Sequence, residues 1–159
     1  MNYGIPLDFH FSTKKGWIND PNGLVYFDGY YHIFYQHSPN FEKPWNESMH
    51  WGHARTKDFL HWEELPVALY PDMPYDKDGC WSGTAIVKGN RLFLFYASIH
   101  DGIQSVSVAY SDDGISFEFI KQFLVPQVHN DSKWMAQYVY ACCLTYYDNK
   151  LRLYFNARN

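Results

Sequence analysis

The stretch Gly23-Leu24-Val25-Tyr26-Phe27-Asp28-Gly29-Tyr30-Tyr31-His32-Ile33-Phe34-Tyr35 decides the fold. It is an apolar and aromatic run interrupted once, by Asp-Gly, which is typical of two strands joined by a tight turn. The same pattern returns at residues 83–95 and again at residues 143–155. The turns are predicted at residues 28/29, 88/89 and 148/149, so the hairpin repeats every 60 residues.

Two more segments repeat outside the hairpins, at residues 54–63 and 109–118. Each has Ala, a hydroxyl residue two positions later, Asp at the fifth position, and then an aromatic residue followed by Glu. Four short strands per repeat are typical of a β-propeller. The alternative is a pair of unrelated β-meanders, which requires three hairpins and two outer segments to fall in phase by chance.

The sequence therefore predicts an all-β fold, a single partial β-propeller domain over residues 1–159. Blade one is expected at about 17–69 and blade two at about 80–125. Only the first hairpin of blade three, at about 140–156, is expected. Two and a half blades leave sheet faces uncovered and a strand edge unpaired, which invites association.

Composition and charge narrow the class of protein. The chain has 159 residues, enough for one domain with a core, and no apolar run approaches the ~20 residues of a membrane helix. A net charge of −4 without a basic run makes nucleic acid and anionic membranes poor partners. Cys80, Cys142 and Cys143 show no disulfide or metal spacing. The first residues lack a signal-peptide pattern, so a cytoplasmic setting is expected.

The first hairpin is preceded by the motif Trp17-Ile18-Asn19-Asp20-Pro21-Asn22-Gly23. Pro21 fixes its own φ and biases Asp20 toward an extended conformation, while Asn22 and Gly23 tolerate positive φ. Stiff neighbours suit a carboxylate that acts as a nucleophile or stabilises charge. The alternative is that Asp20 only caps the turn through its own backbone.

This motif and four later segments resemble glycoside hydrolase family 32, the family of invertases, sucrose-6-phosphate hydrolases, levanases and inulinases. The later segments lie at residues 34–36, 50–54, 57–62 and 76–85, in the family's order and at about its spacing. The resemblance is strong to residue 85 and fades beyond about residue 119. It implies a five-bladed propeller that hydrolyses a terminal fructosyl bond of sucrose, sucrose 6-phosphate or fructan with retention. The implied partner is a small carbohydrate, and no cofactor is implied.

The resemblance also implies roles for individual residues. Asp20 matches the nucleophile, and the matches to substrate-binding positions are Asn19, Gln36, Trp45, Trp81 and Ser82. Gln36 has the alternative role of satisfying a nearby loop backbone, and Trp45 that of attaching its loop to the core. By the 60-residue spacing alone, Trp81 and Ser82 are equivalent to Pro21 and Asn22, so they should lie at the same end of the channel.

Three histidines and two aspartates are considered as possible metal ligands, and other roles are expected for them. His50, His53 and His61 have no metal-binding spacing, so structural or hydrogen-bonding roles are expected. Asp76 and Asp78 could form a calcium pair, but a solvated loop before blade two is the favoured interpretation. No metal site is therefore predicted.

Two motifs of the family are missing. Arg-Asp-Pro, whose Asp stabilises the transition state, does not occur in the chain, and neither does the Glu-Cys motif of the acid/base. The Glu residues present lie in predicted outer strands or a loop: Glu42, Glu47, Glu63, Glu64 and Glu118. A nucleophile without an acid forgoes a factor of ~10²–10⁴ in rate.

The chain alone is thus predicted to be a weak or inactive β-fructosidase-type hydrolase. One alternative is a fructose- or fructan-binding module without turnover, and another is a folded remnant. A homo-oligomer, or a missing C-terminal half, is expected to complete the propeller.

Overall fold

The computed structural model describes residues 11–40, 48–123, 139–148 and 150–157. These residues form ten β-strands and no helix, and so none that could cross a membrane. The strands are β1 (Trp17–Phe27), β2 (Tyr30–Ser38), β3 (His50–Thr56), β4 (Trp62–Leu69), β5 (Gly79–Lys88), β6 (Arg91–His100), β7 (Ile103–Ser111), β8 (Glu118–Phe123), β9 (Val139–Tyr147) and β10 (Lys150–Ala157).

The strands form two four-stranded sheets and one hairpin. Sheet one has the order β1-β2-β3-β4 and sheet two the order β5-β6-β7-β8, while β9 pairs with β10. All neighbouring strands are antiparallel. Repeated four-stranded meanders of this kind are propeller blades. The predicted fold class, all-β with a partial propeller, is confirmed.

The hairpin turns agree with the predicted positions except in sheet two. Asp28 and Gly29 have φ values of 46° and 80°, as a two-residue turn that follows the strand twist requires. In sheet two, Lys88 still pairs with Arg91, so the turn is Gly89-Asn90, one residue later than predicted. The third turn includes Asp148, as predicted. The turns are therefore 61 and then 59 residues apart. The turn in sheet two lies at Gly89-Asn90 because Gly-Asn suits a two-residue turn better than Lys88-Gly89 does.

Sheet one and sheet two pack face to face around an apolar core. Side chains that alternate along each strand point into it, and burying each large one contributes roughly 1.5–3 kcal/mol. Its largest members are Phe27, Phe34, Trp51, Leu69, Leu92, Leu94 and Tyr96. The opposite face of sheet two carries a smaller cluster of Phe95, Val106 and Val108. Strand β9 of the third hairpin contacts β5 and β6.

A pair of histidines is buried beside this core. His32 Nδ1 lies 2.9 Å from His53 Nε2, and the His53 ring stacks on Phe34 with centroids 4.2 Å apart. Burial lowers the pKa of both imidazoles, that of His53 to about 3, and the positive potential of Arg55 acts in the same direction. The role of His53 is therefore structural, as predicted.

The loop before sheet two differs from its prediction. Asp76 is only 1% exposed, and its carboxylate accepts hydrogen bonds from the Met73 N–H at 3.0 Å and the Tyr96 O–H at 2.9 Å. Asp78 accepts the Asp101 N–H at 2.6 Å. The solvated-loop prediction is wrong for Asp76, because the nearby Met73 N–H and the hydroxyl of Tyr96, 20 residues away in the sequence, replace water. Among the described residues no group of three or more metal-ligating side chains forms.

Part of the face of sheet one that points away from sheet two is exposed, although Phe11 covers Tyr35 on the same face. Tyr26, Tyr31 and Phe59 form an exposed aromatic row there, with successive ring centroids 4.9 and 4.4 Å apart. Tyr26 alternates with Val25 and Phe27, which belong to the core side, so it must lie on the opposite face. A contiguous apolar surface of this kind is typical of an interaction site.

Candidate active site

A β-bulge in β1 presents the predicted nucleophile. Ile18 pairs with His37 and Pro21 pairs with Tyr35, so Asn19 and Asp20 together face a single residue of β2. A bulge bends the strand and redirects its side chains. Pro21 fits this position because it has no N–H to contribute to the ladder.

A second bulge, in β5, brings Ser82 to the same place. Trp81 pairs with Ala97 and Gly83 pairs with Tyr96, which leaves Ser82 as the extra residue. The Ser82 hydroxyl donates to Asp20 Oδ2 at 3.2 Å across the two sheets. The two innermost strands therefore each use a bulge to supply one side of the site.

The expected equivalence of Ser82 with Asn22 needs correction. The sheet-two turn lies one residue late, and β1 has a second bulge between Asn22 and Val25 that β5 lacks. Both shifts act in the same direction, so Ser82 corresponds in position to Asp20. The expectation that Ser82 lies at the same end as the Asp20 motif is confirmed by their hydrogen bond.

The Asp20 carboxylate is exposed and held by two neutral donors. Asn19 Nδ2 donates to Asp20 Oδ1 at 3.2 Å, while Ser82 holds the other oxygen. Asn19 Oδ1 is buried and accepts no hydrogen bond from the residues that the structure describes. An oriented carboxylate can attack an electrophilic carbon. The Asn19 amide oxygen beside it can accept a hydrogen bond from a hydroxyl group.

Gln36 lies underneath this site. Its side chain is 0% exposed, and its Nε2 donates to the Cys80 carbonyl at 3.0 Å, which joins β2 to β5. Within the described part of the chain, Gln36 Oε1 has no hydrogen-bond partner. The structure thus places Gln36 at the site as a support for β5, and a contact between Oε1 and sugar stays a prediction.

The two predicted tryptophans differ in what can be said of them. Trp45 falls in residues 41–47, outside the described part of the chain. Trp81 is partly buried, and its carbonyl accepts the indole N–H of Trp51 at 3.0 Å. The role of Trp51 in supporting the site was not predicted from sequence, because it depends on contact between sheets.

The described Glu residues are engaged away from Asp20. Glu63 in β4 pairs with Arg55 at 2.7 Å, and Glu118 in β8 accepts from the Tyr110 hydroxyl at 2.7 Å. Glu64 accepts hydrogen bonds from the Thr13 hydroxyl and the Lys14 N–H. Because β4 and β8 are the last strands of their sheets, these carboxylates are placed to stabilise the blades.

Comparison with known protein families gives a match over most of the chain. The model of the glycosyl hydrolases family 32 N-terminal domain matches residues 10–137. Sucrose-6-phosphate hydrolase from Zymomonas mobilis is 47% identical over 118 residues, which is 69% of this chain and 23% of the relative. Raffinose invertase from Escherichia coli is 42% identical over 146 residues, 79% of this chain and 30% of the relative. The chain therefore spans less than a third of the length of these curated relatives.

Solved structures agree with the propeller fold. The structure of sucrose-6-phosphate hydrolase from Lactobacillus gasseri matches with a TM-score of 0.81 and 27% identity, covering 93% of this chain and 30% of that one. A β-fructofuranosidase from Bombyx mori matches with a TM-score of 0.77 and 30% identity over 93% of this chain and 31% of that one.

Proposed function

This chain belongs to glycoside hydrolase family 32, and we propose on that basis that it carries the nucleophile side of a β-fructosidase site. The proposed reaction is retaining hydrolysis. Asp20 attacks the anomeric carbon of a terminal fructosyl unit, a general acid protonates the leaving oxygen, and water then releases fructose from the covalent intermediate. The observation that carries this proposal is the exposed Asp20 carboxylate, oriented by Asn19 and Ser82 from two adjacent sheets.

The proposed substrates are sucrose, sucrose 6-phosphate and fructans. Relatives are named sucrose-6-phosphate hydrolase, raffinose invertase and, in Bacillus subtilis, levanase. All three names fit a shared fructosyl group with different leaving groups. In this proposal Asn19, Gln36, Trp45, Trp81 and Ser82 bind the fructosyl group. Asn19 Oδ1, a buried acceptor with no partner among residues 11–40, 48–123, 139–148 and 150–157, supports the assignment of Asn19.

The proposed activity of this chain alone is weak. A retaining glycosidase needs a second carboxyl group about 5–5.5 Å from the nucleophile, which protonates the leaving group and later activates water. The two motifs that supply the transition-state Asp and this acid in the family do not occur in the sequence. Turnover is therefore expected at ~10²–10⁴-fold below that of a complete site.

We also propose that further blades cover the exposed part of this face of sheet one. The exposed row of Tyr26, Tyr31 and Phe59 supports this, since a closed propeller buries such faces between blades. The blades would come from a second copy or from a missing C-terminal half. Sedimentation equilibrium distinguishes these sources, because a folded monomer at micromolar concentration contradicts the homo-oligomer.

A cytoplasmic setting is part of the proposal. Cys80, the cysteine whose side chain the structure describes, is a buried free thiol, which suits a reducing compartment. The kinship with bacterial sucrose-6-phosphate hydrolases supports it too. Fractionation of cells expressing the tagged protein from its own gene would test the location directly.

The test of function is release of fructose from sucrose, sucrose 6-phosphate and levan by the purified chain. Asp20→Asn keeps the shape of the side chain and is expected to abolish all turnover. Asp28→Asn is the matched control, because Asp28 is an exposed turn residue and Asn tolerates its φ of 46°. Measurable turnover that is equal in the chain and in Asp20→Asn would contradict the nucleophile assignment.

A fructose-binding module is the second candidate, favoured by the presence of the binding side chains and the absence of the acid motif. Saturable fructose binding, followed by chemical shifts of Asn19 and Ser82, without turnover would support it. If neither binding nor turnover occurs, both proposals fail.

A further inference from the structure

Three side chains of sheet one reach across to the backbone on either side of Ser82. Gln36 Nε2 donates to the Cys80 carbonyl at 3.0 Å, and Trp51 Nε1 donates to the Trp81 carbonyl at 3.0 Å. The Gly83 N–H donates to Asn22 Oδ1 at 3.4 Å. We call Asn22, Gln36 and Trp51 the β5 clamp.

The clamp acts where β5 has least support of its own. Strand β5 is at the edge of sheet two, so only β6 pairs with it, and the bulge at Ser82 interrupts that pairing. Backbone groups at a bulge lack ladder partners, and their geometry must be fixed by other contacts. The clamp fixes the carbonyls of Cys80 and Trp81 and the N–H of Gly83, while the Met49 carbonyl holds the Cys80 N–H at 2.8 Å.

The clamp side chains are themselves rigid. Gln36 and Trp51 are 0% exposed and Asn22 is 3% exposed, so each is held by the packing of the core. Buried side chains lose their rotamer freedom on folding, and they transmit position accurately to whatever they bind. The location of Ser82 is thus set by sheet one, which also carries Asp20.

Asn22 gives the strongest indication that this arrangement serves more than packing. Its Nδ2 is buried and has no hydrogen-bond partner among the described residues, and the bond that its Oδ1 accepts from the Gly83 N–H is long. A buried amide left half-satisfied destabilises a fold relative to an apolar side chain of the same shape. Stability alone does not explain why Asn22 is at this position. A role in holding the peptide group that follows Ser82 does explain it.

We propose that Asn22 and Trp51, together with Gln36 through its Nε2 and in addition to the sugar contact proposed for its Oε1, are positioning residues, which act through the β5 backbone to hold the Ser82 hydroxyl on the Asp20 carboxylate. The functional part of this inference rests on the proposed sugar site. The geometric part, that the clamp sets the conformation of Ser82, is independent of any ligand. The two parts are therefore tested by different measurements.

The geometric test measures the Ser82 χ1 rotamer from three-bond couplings in the labelled chain. The variants are Trp51→Phe, which keeps a buried ring but removes the indole donor, and Asn22→Leu, which removes the acceptor. Asn22→Asp keeps an acceptor and is expected to restore the wild-type couplings. Trp62→Phe is the matched control, since Trp62 lies in the outer strand β4. Trp51→Phe and Asn22→Leu are expected to average the Ser82 rotamers, and Trp62→Phe is expected to leave them fixed.

The functional test measures fructose affinity in the same proteins and in a Ser82→Ala background. Loss of one clamp bond is expected to weaken binding by about 2–10-fold, the range for one hydrogen bond. In Ser82→Ala the clamp variants are expected to cause no further loss, because the clamp acts through Ser82.

Unchanged Ser82 couplings in folded Trp51→Phe would overturn the proposal, as would losses that add to that of Ser82→Ala. If the wild-type chain does not bind fructose, the sugar proposal fails, and the couplings still decide the clamp. If Asn22→Leu does not fold, Trp51→Phe with its control gives the answer alone.

Discussion

The buried histidine pair makes the stability of the fold dependent on pH in a way that can be calculated. Folding keeps His53 neutral, because burial against Phe34, the neighbouring His32 imidazole and the positive potential of Arg55 lower its pKa to about 3 from an ordinary value of 6.5. The unfolded chain takes up a proton below pH 6.5 and the folded chain does not. Stability is therefore lost as the pH falls through 6.5, and the loss continues to about pH 3.

The size of the effect follows from the two pKa values. Each pH unit below 6.5 lowers the free energy of unfolding by ~1.4 kcal/mol, so moving from pH 7 to pH 5 removes about 2 kcal/mol through His53. The substitution His53→Phe removes the titrating ring and keeps an aromatic side chain stacked on Phe34. The variant should lose about 2 kcal/mol less stability than the wild type over this interval.

The assay is urea unfolding of both proteins at pH 7 and pH 5, followed by tryptophan fluorescence. His61→Gln is the control, because His61 is exposed and its bond to Asp58 raises rather than lowers its pKa. That variant should lose at least as much stability at pH 5 as the wild type. Equal losses for wild type and His53→Phe would refute the reasoning, since His53 would then titrate alike in folded and unfolded chains.

Two further predictions concern packing near the site. In Gly83→Ala the new Cβ would lie 2.0 Å from the Phe95 carbonyl oxygen, so β5 and β6 must separate, and we expect a loss of about 3 kcal/mol in thermal unfolding. Gly89→Ala meets nothing within 4 Å and should cost about 1 kcal/mol for its φ of +62° alone, so equal losses would contradict the steric argument. Asp76→Ala removes the acceptor of both the Met73 N–H and the buried Tyr96 hydroxyl, and it should destabilise by about 3 kcal/mol in urea unfolding. Tyr96→Phe keeps the bond between the Met73 N–H and Asp76, so it should lower the free energy of unfolding by less than half as much. An equal loss in both variants would contradict this prediction.

The sequence predicted the features that depend on local chemistry. Asp28-Gly29 fixed the first turn because these two residues accept positive φ, and alternating apolar residues placed the core faces of the strands. The Asn19-Asp20-Pro21 motif located the candidate nucleophile, because a proline after an acidic residue restricts the backbone at that point.

What the sequence did not predict depends on pairing between distant segments. Strand β1 has two bulges and β5 has one, and this difference helps to bring Ser82 to the position equivalent to Asp20. A fixed 60-residue repeat does not predict that shift. Asp76 resembled a loop residue, since its partner Tyr96 is hidden within an apolar strand. Trp51 resembled a core residue, and its indole N–H gains a role only when β5 lies next to it.

The hydrogen bond between Ser82 and Asp20 joins residues 62 positions apart in the chain. Synthesis on the ribosome therefore delivers the carboxylate long before the hydroxyl that orients it. Sheet one, which closes by local pairing of consecutive strands, can form during that delay, with Asp20 held only by its neighbour Asn19. The site then matures when the second sheet docks, so a nascent chain that has finished only its first sheet holds a nucleophile that is not yet oriented.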